Sequence, residues 1–112
     1  MTRYLISFDD AAMTFPEEDL PDVAAASHAV VHQAKEAGVW VTGGGVDGRD
    51  LSVVGQDGSV TPGTTPPDER YLSGFAILEV ASHDEALEWA ARIAASCRCA
   101  MEVRPLQNDP DA

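Results

Sequence analysis

Residues 3–8 alternate strictly, with Tyr4, Ile6 and Phe8 on one side and Leu5 and Ser7 on the other, the period-two mark of a half-buried strand. A loop over 9–16 follows, and Pro16-Glu17-Glu18 opens a short helical turn whose carboxylates sit at the positive end of the helix dipole. Pro21-Asp22 restarts a longer helix that runs to about Ala37, where Gly38 supplies the stop. At about 100° per residue, Val23, Val30, Ala34 and Ala37 make the apolar stripe of that helix. His28 falls roughly 120° from the stripe's centre, at a boundary, and His32 roughly 160° away, in solvent.

Val39-Trp40-Val41-Thr42 reads as a second strand that ends at Gly43-Gly44-Gly45. The glycines follow a strand as in a phosphate loop, yet neither a lysine nor a helix comes after them, so they predict a bend or bulge. Leu51-Ser52-Val53-Val54 is a third strand, and Asp57-Gly58 marks a turn before Val60. Pro62 to Pro67 is a proline-rich loop. The long alternating strand Leu72–Val80 leads to Ser82 and Glu85, spaced as a capping box at the head of a second helix. In that helix Ala86, Leu87, Ala90, Ile93 and Ala94 share the inner face, with Ile93 fully buried and Trp89 at the rim. Glu88 and Arg92 are spaced to pair on the outside. A last strand covers Met101–Arg104, and the acidic end of the chain is expected to fray.

Strand, helix, strands, strand, helix, strand predicts an α+β domain over residues 1–106, an antiparallel ferredoxin-like sheet with both helices on one face, followed by a flexible acidic tail over 107–112. Tyr4, Ile6, Phe8, Ala76, Leu78, Val80, Met101 and Val103 then meet the helices. The other face carries Ser7, Glu79, Glu102 and Arg104, together with either Trp40 or Thr42. A half-apolar face of this size is seldom left bare, which predicts a homodimer.

The formal net charge is −12, so the surface repels phosphate backbones and anionic membranes, and no basic stripe offsets it. Nucleic-acid binding is not expected. No apolar run reaches the roughly 20 residues of a membrane span, and Asp9-Asp10 follow the first strand where a leader would remain apolar, so a cytoplasmic location is expected. Cys97 and Cys99 are too few for a disulfide framework or a structural zinc site and are expected to remain reduced thiols.

Four stretches carry a resemblance: Ala37-Gly38-Val39 leading into Gly43-Gly44, Leu72-Ser73-Gly74-Phe75, Glu85-Ala86-Leu87-Glu88-Trp89-Ala90, and Glu102-Val103-Arg104-Pro105. In this order and spacing the chain resembles the YCII-related, or DGPF-domain, family from Tyr4 to Pro105. That resemblance implies a small ferredoxin-like protein of the dimeric α+β barrel type. The family's Asp-Gly-Pro-Phe stretch reads Pro62-Gly63-Thr64-Thr65-Pro66-Pro67-Asp68-Glu69-Arg70 here, and only its glycine is present. Relatives also carry a helical histidine proposed to pair with an aspartate. His28 is the nearest match, one residue closer to Gly38, and the aspartate that some members place before this glycine is Ala37.

Chemistry near neutral pH needs a group that exchanges protons there, and histidine is the natural one. His28 facing Asp9 or Asp10 at the end of the first strand would make a catalytic dyad; otherwise it is a surface histidine on an acidic protein. His28 and His32 have the i, i+4 spacing of two metal ligands, but no third ligand is evident, so no metal is expected. Trp40, Gly44 and Arg104 are candidate ligand contacts, although Glu102 and Glu79 share the face of Arg104 and a structural ion pair across strands is the favoured explanation for it.

Two function classes follow. One is a homodimeric small-molecule-binding or regulatory module without a redox cofactor, for which the resemblance also implies transcription-related partners such as extracytoplasmic-function sigma factors. The other is a proton-transfer enzyme, isomerase- or lyase-like, acting on a small organic acid or aromatic metabolite through a His–carboxylate pair. The altered DGPF stretch favours the module.

Overall fold

The opening alternation is realised as strand β1 (Thr2–Asp9), with Tyr4 and Ile6 buried and Phe8 half-buried on one face. The computed structural model describes residues 1–9, 14–47, 51–63 and 72–111. A 3₁₀ turn (Glu17–Asp19) runs directly into helix α1 (Leu20–Glu36), and Gly38, at φ +76°, ends it as expected. Strand β2 (Trp40–Gly45) follows, then a hairpin of β3 (Ser52–Val54) and β4 (Val60–Pro62) turning at Gly58, φ +87°. Strand β5 (Leu72–Val80), helix α2 (His83–Cys97) and strand β6 (Glu102–Pro105) complete the order.

β2, β5, β1 and β6 form one antiparallel sheet in that spatial order. This is the ferredoxin-like α+β arrangement the sequence predicts. Tyr4, Ile6, Ala76, Leu78 and Val80 of the sheet pack against Ala34 of α1 and Ala86, Trp89 and Ala90 of α2. The capping box forms: the Glu85 amide donates to Ser82 Oγ at 3.1 Å, and the Glu85 carboxylate accepts from the Ala81 amide at 3.2 Å.

Two departures shape the molecule. β2 does not stop before its glycines but runs through all three. Its pairing shifts between Trp40 and Thr42, so Trp40 opposes Leu78 on the helix face while Thr42 opposes Ile77 on the open face. A Cβ at Gly43 would lie 2.6 Å from the Phe75 carbonyl oxygen and 2.8 Å from the Trp40 ring, so the strand needs glycine here to carry the indole. In α2, Trp89 is buried rather than at the rim, and Ile93 is only half-buried. Arg92 lies over the Trp89 ring, 4.6 Å from its centroid, and among the described residues makes no ion pair with Glu88.

The open face carries its charges in pairs. Arg3 reaches Glu79 across β1 and β5 at 3.8 Å, Arg104 pairs with Glu102, and Arg104 also donates to Ser7 Oγ at 3.5 Å. Leu5, Phe75 and Ile77 lie half-buried between them. The β3–β4 hairpin forms its own two-stranded sheet, with Val53, Val54 and Val60 exposed.

Candidate functional site

The half-exposure of Ile93 has a local cause: its side chain borders an open space of about 300 Å³ between the helices and the sheet. The floor comes from Ile6, Phe8, Trp40 and Ala76, side chains whose strand parity turns them toward the helices, and from β2 and β5 backbone at Gly44, Gly45 and Phe75. The Phe8 ring stands so close over Gly74 that a Cβ there would meet it at 2.5 Å, as the Trp40 ring stands over Gly43. Two aromatic rings thus stand against strands cleared of side chains.

Helix α1 contributes two adjacent i, i+4 rows, Leu20-Ala24-His28 and Val23-Ser27-Val31, and α2 contributes Ile93, Ser96 and Cys97 one turn apart. Met101 closes the end beyond α2. The Arg98 guanidinium donates to Asp19 Oδ2 at 2.9 Å, joining the C-terminus of α2 to the start of α1 beside this cavity. Of the lining residues, Leu20, His28, Gly44 and Gly45 are exposed, which places the mouth between α1 and edge strand β2.

The lining is almost wholly apolar, and its hydroxyls are already engaged. Ser27 Oγ donates to the Ala24 carbonyl at 3.0 Å and Ser96 Oγ to the Ile93 carbonyl at 2.8 Å. Among the described residues the His28 ring makes no hydrogen bond within the chain, so both its nitrogens are left for water or a ligand. Burial pushes the Cys97 thiol above its ordinary pKa, partly opposed by the Ser96 hydroxyl. Burial, and then repulsion from Cys97, raise Cys99 in the same way.

His28, Trp40 and Gly44 lie together on the cavity wall. Asp9, half-buried at the end of β1, is not among the lining residues, and Asp10 lies outside the described residues. Arg104 is on the opposite face of the sheet, engaged with Glu102 and Ser7. No cluster of three metal-ligating side chains occurs among the described residues. Phe8, Ser27, Ile93, Ser96, Cys97 and Met101 also line the cavity, without a motif in the sequence that marks them as site residues. The legible signal was a second row beside the core stripe, small or polar at 24, 27 and 28 on α1 and at 96 and 97 on α2.

The family model of the YCII-related domain matches residues 2–107. No curated protein matches the sequence. Among solved structures the chain is similar to 5-chloro-2-hydroxyhydroquinone dehydrochlorinase (TftG) from Burkholderia phenoliruptrix AC1100, in complex with 2,5-dihydroxybenzoquinone. The TM-score is 0.55 at 18% sequence identity, over 97% of each chain, a likeness of fold. Among the described residues no helix is long and apolar enough to cross a membrane.

Proposed function

The chain belongs to the YCII-related domain family, and on that footing we propose that it is a cytoplasmic, homodimeric module that binds a small, largely apolar molecule carrying one polar group. The observation that carries this reading is the cavity of about 300 Å³, whose apolar wall is interrupted by one unengaged imidazole. That volume is at the small end of ligand sites, suited to a single substituted ring. Trp40 and Phe8 offer ring surfaces, and His28 at the mouth offers a donor or an acceptor to a hydroxyl or carbonyl. A regulatory role would use the same site, with occupancy altering a partner's access.

A fluorescence titration with single-ring phenols, hydroquinones and 2,5-dihydroxybenzoquinone tests this, since Trp40 reports on the cavity. Saturable quenching is expected. His28→Ala should weaken a hydroxylated ligand about tenfold, or about 1.4 kcal/mol, while barely altering an unsubstituted ring. Equal affinities for the two proteins, or no saturation with any ring, would contradict the proposal.

A second reading is favoured by one observation: one similar solved structure is that of a dehydrochlorinase with a quinone bound. In that case His28 would move a proton to or from a ring-bound oxygen or carbon in the cavity, as an isomerase or lyase requires. His28→Gln would then abolish turnover while retaining ligand affinity, and a binding module would show no turnover to lose.

A further inference from the structure

The β3–β4 hairpin is the least self-sufficient part of the fold. A two-stranded ribbon is marginal in water on its own, yet all six of its strand residues are exposed, and Val54 and Val60 oppose each other at 66% and 65% exposure. β2 is an edge strand that pairs with β5 alone among the described residues and carries exposed Val41 and Val46, and the cavity mouth opens beside it at Gly44 and Gly45.

We propose that the hairpin of a second copy of this chain covers that mouth, so that the binding site is complete only in the dimer; this rests on the homodimer reading above.

Charge supports a second copy as the occupant. Two chains of net charge −12 repel over most of their surfaces. Residues 51–63 contain a single charged side chain, Asp57 at the turn, and residues 39–46 and 72–78 contain none. The hairpin and the β2 side of the mouth are therefore neutral surfaces on which two such chains can meet, whereas Glu17, Glu18, Asp19 and Asp22 flank the α1 side. The exposed parts of Leu51, Val53, Val54 and Val60, with Val41 and Val46, come to on the order of 500 Å² of apolar surface, most of the roughly 800 Å² each partner gives to a standard interface. Burying it would also shield Trp40 and His28 from water, which strengthens any hydrogen bond His28 makes to a ligand.

Val60→Glu tests this without disturbing the domain, since Val60 is exposed and lies outside the four-stranded sheet. Light scattering at micromolar concentration and amide hydrogen exchange are read together. The wild type is expected to have the mass of two chains and protection at those amides of residues 41–46 that are not bonded to β5, which are the ones followed. Val60→Glu should have the mass of one chain and exchange about tenfold faster at 41–46, with β1 and α2 unchanged. A wild-type mass of one chain would overturn both the dimer and the covered mouth. A Val60→Glu protein that stays dimeric with unchanged exchange would overturn the covered mouth alone. So would a monomeric variant whose residues 41–46 remain protected.

Discussion

His28 and Cys97 face one cavity with opposite dispositions. The imidazole is exposed at the mouth and unengaged among the described residues, whereas the thiol is half-buried and held protonated by its surroundings. A thiolate is the reactive species, so Cys97 and Cys99 should react with iodoacetamide more slowly than a free thiol at pH 7–8, and denaturant should abolish the difference. Their raised pKa values also set a sign for stability. The native state holds these protons more tightly than the unfolded chain does. The contribution is therefore complete below the ordinary thiol pKa and disappears as pH climbs through it toward the native value. Cys97→Ser should flatten the alkaline side of the stability profile measured by urea titration. Gly43 shows a different dependence, since any side chain there must displace either the β5 backbone or the Trp40 ring. Gly43→Ala should cost about 1–3 kcal/mol in denaturant titration and change Trp40 emission.

The elements that local signals specify are those the sequence predicts best. β5 has the bounds its alternation implies, and α2 starts at its capping box, because both depend on neighbours within a few residues. Ser82→Ala should cost about 1 kcal/mol of stability, read from the denaturation midpoint. β2 runs further than its pattern predicts because what lets it continue through three glycines is non-local: the Trp40 indole and the Phe75 carbonyl occupy the space a Cβ at 43 would take. Helix phase predicts full burial for Ile93, but phase reports direction and not whether anything fills the space beyond. Because that space is the cavity, Ile93→Ala should cost about 1–2 kcal/mol, below the usual 2–5 for a buried residue, and should admit bulkier rings.

At the scale of the whole molecule, the ferredoxin-like plan was readable from element order, and membership of the YCII-related family from four short stretches. Of the candidate site's residues, only which of them share a face was legible. His28, Trp40 and Gly44 come together because α1 lies across the sheet toward the β2 edge, whereas Arg104 is carried to the far face by strand parity and is engaged there by Glu102. Face assignments of this kind follow from periodicity; distances between elements do not, so a cleft between helices and sheet is readable from the layering while its size and lining come only from the packing. Its occupancy by a small ring is the centre of the account. Methyl-resolved NMR during titration with single-ring hydroxyarenes tests it most directly. The account predicts concerted shifts at Val23, Val31, Ile93 and Met101 together with the His28 ring, and none at the exposed Leu87 or Leu106. Shifts confined to exposed methyls, or an unmoved cavity set with every ring tried, would contradict it.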